Sequence, residues 1–327
     1  RAYLALPARY NEYIETLRTS IEAVKACSIY PEGLEIEVVA LPDAYIVGEE
    51  TALLQALEGK TPKPRKKPPM PTRTGLFGAP TCTNNVETTL HAADIIRRGV
   101  AAFRALGTVE APGTQVFDLQ GEVVHPGLYE LPLGTSLRSL IYEHGGGLRG
   151  DEATFKMVFP GGIASVPLAE AQLDVALEYA ALQDAGSSMG SGQVVVLTQA
   201  HSAIDVADEL SALFHEQSCG QCEPCKDGTQ RVRLMIQRLP YLNEKGIDKQ
   251  GTALPDTRRR TALKILDNPN SLAGLSYTDR TTGLDKIESF CEFFKVRGDC
   301  KHSLFAGSAV QGVVRLFRDE FEARMSQ

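Results

Sequence analysis

Three cysteines stand three positions apart in the stretch SCGQCEPCKDG, residues 218–228: Cys219, Cys222 and Cys225. Positions with this spacing drift around a straight helix, so the pattern is typical of a loop that wraps around a compact object. A cubane iron–sulfur cluster needs such a loop, together with a fourth thiolate from elsewhere in the chain. The spacing therefore predicts a metal centre of the [4Fe–4S] type.

Two later cysteines are candidates for the fourth ligand. Cys300 follows Gly298 and Asp299, a turn that can aim a thiolate, whereas Cys291 lies between apolar residues and has the surroundings of a small buried hydrophobe. On the residues alone, Cys300 and Cys291 both remain candidates for the fourth ligand. A zinc site that uses the same thiols, with or without His302, and three unligated thiols are the competing interpretations.

Two polar stretches precede predicted helices in the first third of the chain. In VGEET, Gly48 allows close approach to the backbone, and the helix start after Glu49 and Glu50 directs N–H groups outward. The same acids are also good helix caps, and both readings stay open. In TNNVET, Asn84 and Asn85 fit either a ligand contact or an ordinary turn before a helix.

The composition describes a globular chain of 327 residues, long enough for two or three domains. A net charge of −7 disfavours nucleic acid as a partner, and no apolar run approaches the roughly 18 residues of a membrane span. Seven cysteines, an odd number, indicate a reducing compartment such as the cytoplasm. The chain begins without Met inside a predicted strand, which indicates an internal start or a processed or truncated chain.

The periodicity predicts an α/β region, a partial Rossmann-like domain, over residues 1–108. A β-grasp domain is expected over 109–185, and a helical bundle that carries the cluster over 186–327, with an inserted segment at about 244–285. Predicted strands and helices in the first region are RAYLALP, Glu12–Ala26, LEIEVVALP, TALLQALEG and VETTLHAADIIRRG. Those of the second and third regions include TQVFDLQGEVVHPGLYELP, LRSLIYEHGGG, TFKMVFPGG, ASVPL, GSGQVVVLTQ and one closing helix, AVQGVVRLFRDEFEARM.

The cysteine motif carries a resemblance to a known family. QSCGQCEPCKDG is similar to the pattern ESCGxCxPCxxG of the NADH-binding 51 kDa-type flavoprotein subunit of respiratory complex I, with Gln217 in place of the acid. The diaphorase subunit of NAD-reducing hydrogenases and the β-subunit of NAD-dependent formate dehydrogenases share the pattern. Further stretches agree in the family's order: AYIVGEETALLQALEGK, RTGLFGAPTCTNNVETTLHAADII, a soluble-ligand-binding β-grasp region, and GSGQVVVLTQ.

The resemblance implies roles for individual residues. The family's last cysteine lies eleven positions before a Gln, and counting back from Gln311 selects Cys300 as the fourth ligand. Met70 stands where the family has an aromatic residue that stacks on the nucleotide. The family's glycine-rich flavin loop precedes the matched region, and residues 1–43 hold one glycine. The implied flavin and nicotinamide contacts are Tyr45, Gly48, Glu49, Glu50, Asn84, Asn85 and Thr88.

The implied function is that of an oxidoreductase subunit that passes electrons between NAD(H), FMN and the [4Fe–4S] cluster. Expected partners are a thioredoxin-like [2Fe–2S] subunit and a further iron–sulfur subunit, without nucleic acid or direct membrane insertion. The expected location is cytoplasmic, free or peripheral to a membrane complex. A non-catalytic iron–sulfur scaffold that has lost flavin and NADH binding is the second hypothesis, and a zinc-stabilised interaction protein is the third.

Overall fold

The computed structural model describes residues 1–27, 30–239 and 283–326 as a mixed α/β chain. The chain divides into two compact units, Arg1–Asn84 with Gln217–Gln221 and Asn85–Glu216 with Cys222–Gln327. The three domain boundaries expected from the sequence stay predictions. Of the predicted insertion at 244–285, residues 244–282 lie outside the described residues.

The first unit is built on a parallel pair of strands joined through a helix. The strands pair from Ala2 opposite Ile36 to Pro7 opposite Leu41. A helix must cross over between parallel strands, and this one buries Ile14. The strand and helix predictions are confirmed here: β1 (Ala2–Pro7), α1 (Asn11–Ala26), β2 (Ile36–Leu41) and α2 (Glu50–Leu57).

The second unit contains a four-stranded sheet in the order β4-β3-β6-β5. β3 pairs antiparallel with β4 and parallel with β6, which in turn pairs antiparallel with β5. Alternate residues of β3 and β6, such as Phe117, Leu119, Val194 and Val196, are fully buried on one face. The strand bounds are β3 (Thr114–Gly121), β4 (Gly127–Pro132), β5 (Phe155–Ile163) and β6 (Gln193–Thr198).

Helices are the other main elements that the structure describes in the second unit, and two short π-helical turns occur at Ser139–His144 and Pro224–Gly228. Among the residues that the structure describes, no helix has both the length and the apolar character needed to cross a membrane. The helices are α3 (Val86–Arg98), α4 (Val100–Arg104), α5 (Tyr179–Asp184), α6 (Ala203–Glu216), α7 (Thr229–Gln237), α8 (Gly283–Arg297), α9 (Lys301–Leu316) and α10 (Arg318–Met325).

Strand β5 is buried on both faces. Phe155 and Val158 belong to the core under the sheet, whereas Met157 and Phe159 pack into the core formed by α6, α7, α8, α9 and α10. A strand covered on both sides is expected to be apolar almost throughout, as FKMVFPGGI is. Strand β5 is therefore part of the wall that the sheet core and the helical core of this unit share.

The predicted strand ASVPL is wrong. Residues 164–168 form no strand, and Leu168 alone makes an antiparallel bridge to Val158 through two backbone hydrogen bonds of 2.8 and 3.1 Å. Pro167 has no backbone N–H to donate, so the pairing cannot extend through it. The segment is apolar because it covers the core, not because it belongs to the sheet.

The prediction of one closing helix is also wrong. The segment is divided between α9 and α10, and Phe317 between them has non-helical angles, φ −123° and ψ 35°. After this break Arg318 bonds Asp285 and Glu288 of α8, at 2.9 and 2.8 Å. Those long-range ion pairs are invisible to a local periodicity.

The break also places Glu320 against a buried lysine of β5. Lys156, whose side chain is 5% exposed, donates to Glu320 Oε2 at 2.8 Å, and Glu320 Oε1 accepts the backbone N–H of Ala203 at 2.8 Å. Burial opposes the ionised form of this carboxyl, but the hydrogen bonds from Lys156 and Ala203 outweigh it and lower the pKa of Glu320. One carboxylate thus joins β5, α6 and α10.

Replacing Glu320 with Gln should lower the stability of the second unit by about 1–2 kcal/mol at pH 7, because a charge-assisted hydrogen bond is lost. The folded pKa is below the unfolded one, so this stability exists at neutral pH and disappears as the pH falls through the folded value. Thermal unfolding at pH 7 and near pH 3 checks this. The gap between variant and wild type should close in acid, and Asp174→Asn, at an exposed pair with Arg138, should show no comparable gap at either pH.

Candidate functional site

Four of the predicted flavin residues lie in one turn at the start of α2, in the first unit. Tyr45–Gly48 form a 3₁₀ turn, and Glu49 Oε2 accepts the backbone N–H groups of Thr51 and Ala52 at 2.9 and 2.8 Å. Glu49 therefore caps the helix, as one reading of VGEET predicted. Side-chain space beside Gly48 is open, since a Cβ there would meet nothing within 4 Å.

The basic loop KPRKKPP, residues 63–69, contacts the acidic turn that carries Glu49 and Glu50. Lys67 Nζ is 2.6 Å from Glu50 Oε2 and 3.3 Å from Glu49 Oε1, and the bond to Glu50 is the main reason that the pKa of Lys67 is raised. Thr51 Oγ1 accepts the backbone N–H of Arg65 at 2.8 Å and donates to Glu49 at 2.6 Å. Thr51 thus connects the cap to the basic loop.

A second carboxylate fixes the other end of that loop. Glu58, with a side chain only 5% exposed, bonds Arg65 and Lys60 at 2.8 and 2.7 Å and accepts the Phe77 backbone N–H at 2.9 Å. Burial opposes its ionisation, but these three donors together bring the pKa of Glu58 to about 2. Residues 60–78, which have little regular structure, are held in place by this permanently ionised group.

The asparagine segment is divided between the two units. In the first unit, Asn84 donates to Cys82 Sγ at 3.5 Å, and the Oγ1 of the neighbouring Thr83 is buried without a hydrogen-bond partner among the described residues. In the second unit, Asn85 caps α3 by accepting the Glu87 N–H at 2.8 Å, and Thr88 is exposed in the first turn of that helix. Asn85 therefore lies in a turn before a helix, as the ordinary interpretation of TNNVET predicts, and it caps that helix.

The first unit fits a flavin on two observations. Open space adjoins Gly48 at the start of α2, and Thr83 has a buried hydroxyl that lacks a partner within the described part of the chain. A buried hydroxyl without a partner is costly, so a ligand oxygen or nitrogen at that position is favourable. Met70, 51% exposed, offers an apolar surface rather than an aromatic one.

Cys219 belongs to the first unit, in the short segment Gln217–Gln221. Gly220 has a left-handed φ of +67°, and its N–H bonds Ser218 Oγ at 3.0 Å. The glutamines on either side of Cys219, Gln217 and Gln221, form hydrogen bonds to other parts of the unit, and neither bond was predicted. The sequence carries no signal for them, since their partners are more than 150 residues away in the chain.

Cys222 and Cys225 lie together in the second unit, 8% and 1% exposed. A hydrogen bond from the Cys225 side chain, assisted by the backbone N–H groups of Asp299 and Cys225, lowers the pKa of Cys222 to about 6. Donors that converge on a sulfur stabilise the thiolate, which is the ligand form for iron and zinc alike. The contact with Asp299 brings the segment before Cys300 to the Cys222 sulfur.

The turn that presents Cys300 is closely packed. Cys300 has extended angles at the N-cap position of α9, and Ser303 Oγ donates back to its carbonyl at 3.0 Å. A Cβ on Gly298 would lie 1.4 Å from Ser303 Oγ, so only glycine fits there. The turn expected before Cys300 is therefore present.

The alternatives for the metal ligands have different surroundings. Cys291 is fully buried in α8, and burial raises the pKa of its thiol to about 12, so it is a neutral core residue. His302 Nε2 is 2.8 Å from the Phe214 carbonyl oxygen, so this ring nitrogen is hydrogen-bonded to the backbone. In residues 1–27, 30–239 and 283–326 no group of three or more His, Cys, Asp or Glu side chains is arranged to hold a metal ion. The low pKa and N–H donors at Cys222 still fit a thiolate-bound cluster.

Comparison with known families gives three matches along the chain. The Nuo51 FMN-binding domain matches residues 1–94, the SLBB domain 116–157, and the NADH-ubiquinone oxidoreductase-F iron–sulfur binding region 205–255. These matches define the class, a protein that joins an FMN-binding region to an iron–sulfur region. They confirm FMN and a [4Fe–4S] cluster as its cofactors.

The chain belongs to the family of NADH-quinone oxidoreductase F subunits. The F subunit of Escherichia coli (strain K12) is 32% identical over 335 residues, which cover 100% of this chain and 67% of the relative. The F 2 subunit of the Rhizobium meliloti (strain 1021) enzyme is 44% identical over 197 residues, 60% of this chain and 46% of the relative. The chain thus spans about half to two thirds of these curated relatives.

Hydrogenase subunits are related as well. HndC, a subunit of the NADP-reducing hydrogenase of Solidesulfovibrio fructosivorans, is 33% identical over 92% of this chain and 61% of its own length. The crystal structure of an NAD⁺-reducing [NiFe]-hydrogenase in the H₂-reduced state matches 99% of this chain and 49% of its own, with a TM-score of 0.78 and 28% identity. The resemblance predicted from the cysteine motif is confirmed.

The cap at Glu49 generates a stability prediction. Glu49→Ala should destabilise the first unit by about 1 kcal/mol, because two backbone N–H groups of α2 lose their acceptor. Glu49→Ser should recover most of the loss, since serine also caps. Glu50→Ala should change the melting temperature less than Glu49→Ala does. Thermal unfolding of the three variants checks this, and equal effects of Glu49→Ala and Glu50→Ala would contradict the cap.

Proposed function

We propose that this chain is the electron-transfer part of an NADH-linked oxidoreductase, and that electrons pass between NAD(H), FMN and a [4Fe–4S] cluster. The observation that carries the proposal is the presence, in one chain, of an FMN-binding match at 1–94 and an iron–sulfur match at 205–255. FMN exchanges two electrons with NADH and one at a time with the cluster, which is why the two belong together.

On the flavin side, the proposed contacts are built around the α2 turn. The open space beside Gly48, at the start of α2, leaves room for a planar ring to approach the backbone. Lys67 offsets one of the two negative charges of Glu49 and Glu50, which reduces the repulsion that an anionic ligand would meet at this turn. The proposed contact residues are Tyr45, Gly48, Glu49, Glu50, Asn84, Asn85 and Thr88.

On the metal side, we assign the four ligands to Cys219, Cys222, Cys225 and Cys300. The triplet spacing supports the first three, and the Asp299 N–H bond to Cys222 supports the segment that contains the fourth. Cys291, buried and neutral, is disfavoured. The finer architecture belongs to this proposal: a partial Rossmann-like flavin domain, a β-grasp domain and a helical cluster-binding bundle.

The partners are also proposals. The relatives' names describe subunits of a quinone oxidoreductase and of a hydrogenase. We expect this chain likewise to work beside other redox subunits, a thioredoxin-like [2Fe–2S] protein and a further iron–sulfur protein among them, in the cytoplasm. The two competing functions, an iron–sulfur scaffold without flavin and a zinc-stabilised interaction protein, differ from it in cofactor content.

Cofactor content tests the proposal directly. The protein is purified without oxygen in its native complex, and the chain's iron, zinc, acid-labile sulfide and flavin are measured together with its absorption spectrum. Iron with FMN supports the proposed function. Iron without flavin would overturn it in favour of the iron–sulfur scaffold, and zinc without iron would overturn it in favour of the zinc-stabilised interaction protein.

Paired alanine variants test the fourth ligand. Cys300→Ala should lose iron and alter the paramagnetic signal of the reduced protein, because a cubane then lacks one thiolate. Cys291→Ala, the matched control, should keep both and lose only stability, by about 1 kcal/mol for a small cavity. Iron analysis and electron paramagnetic resonance decide, and full iron in Cys300→Ala with loss in Cys291→Ala would reverse the assignment.

A further inference from the structure

The side chain of Gln221 bridges a proposed cluster ligand and the basic loop. Its Nε2 donates to the Pro64 carbonyl at 3.1 Å and to Cys219 Sγ at 3.6 Å, all within the first unit. An NH₂ group has two hydrogens, so one amide can serve both acceptors. Pro64 precedes Arg65, whose N–H is held by Thr51 next to the helix cap.

Gln217 tethers the other end of the same segment. Its Oε1 accepts the backbone N–H of Tyr45 at 3.2 Å, at the start of the turn that leads to Glu49. Between the two glutamines, the left-handed Gly220 and the bond from its N–H to Ser218 fix the backbone around Cys219. The Cys219 turn is therefore tied at one end to the turn that begins at Tyr45, which carries proposed flavin contacts, and at the other end to the basic loop that pairs with that turn.

We propose that Gln217 and Gln221 are positioning residues that hold the Cys219 turn on the flavin-binding unit, and that the Gln221 N–H···S bond raises the reduction potential of the cluster. This inference rests on the proposed function. Reduction adds one electron to the cluster, from flavin in the protein or from dithionite in a titration, with no bond made or broken. The added negative charge strengthens an N–H bond to a ligand sulfur, so the donor favours the reduced form.

The first test compares Gln221→Leu with Gln199→Leu. Gln199 also donates to a backbone carbonyl, that of Phe155 at 3.2 Å, but contacts no cysteine among the described hydrogen bonds. Loss of the donor in Gln221→Leu should shift the reduction equilibrium about fivefold toward the oxidised cluster, roughly 40 mV at 59 mV per tenfold. Redox titration followed by electron paramagnetic resonance measures the midpoint potential, and Gln199→Leu should keep the wild-type value.

A second variant, Gln221→Glu, keeps the test possible if Gln221→Leu fails to assemble the cluster. Gln221→Glu keeps the side-chain length, removes the donor and adds a negative charge, so its potential should fall at least as far. Potentials at or above the wild-type value in both assembled variants, or in Gln221→Glu alone if only that variant holds iron, would overturn the proposal.

The tether at Gln217 has its own readout. In Gln217→Ala the backbone amide of Tyr45 should exchange its hydrogen about fivefold faster, and Gln217→Glu should restore protection because a carboxylate also accepts this bond. Unchanged exchange in Gln217→Ala would remove the tether from the proposal. Wild-type protein without iron or FMN defeats the proposed function, whereas a loaded wild type with insensitive variants defeats only this inference.

Discussion

The hydrogen bonds that converge on the Cys222 sulfur, from Cys225 and from the Asp299 N–H, are the interaction on which the packing around these bends of the second unit depends. A cysteine in a straight helix cannot join two others at three-residue spacing in one ligand set, so the backbone must bend on both sides of it. Gly228 lets that bend pack closely on α8, because a Cβ there would lie 2.3 Å from Phe294 Cε1. Gly298 permits a second bend, against Ser303, and the freed N–H of Asp299 then bonds Cys222. Close packing at the two glycines and hydrogen bonding to the Cys222 sulfur thus favour the same backbone conformation.

The first unit meets a related demand with charge rather than with glycine. Its acidic turn and basic loop would each be unfavourable alone, since like charges lie side by side in both. Lys67 between Glu49 and Glu50, and Arg65 against Glu58, turn that repulsion into the contacts that hold an irregular segment. Glu49 caps α2, as one reading of VGEET predicted, and it also pairs with Lys67, a contact that neither reading included.

Local patterns predicted what local forces determine. The amphipathic α1, the strands of both sheets and the turn before Cys300 follow from periodicity and from glycine and cysteine placement. The bridge at Leu168 and the break at Phe317 could not be predicted from such local patterns. Each depends on contacts with residues that are distant in the sequence. The same holds at the site: the cysteine spacing predicts a metal centre, whereas the contacts of Gln217 and Gln221 arise only once distant segments meet.

The double burial of β5 limits how this protein can diverge. Its residues serve two different hydrophobic interiors, with Met157 and Phe159 facing the helices and Phe155 and Val158 facing the sheet core. Exchanging the segment for that of a homologue would need compensating changes in both interiors at once. We therefore expect the sheet and the cysteine-bearing helices to be inherited as one piece, and chimaeras joined within 155–163 to fail where joints in surface loops succeed.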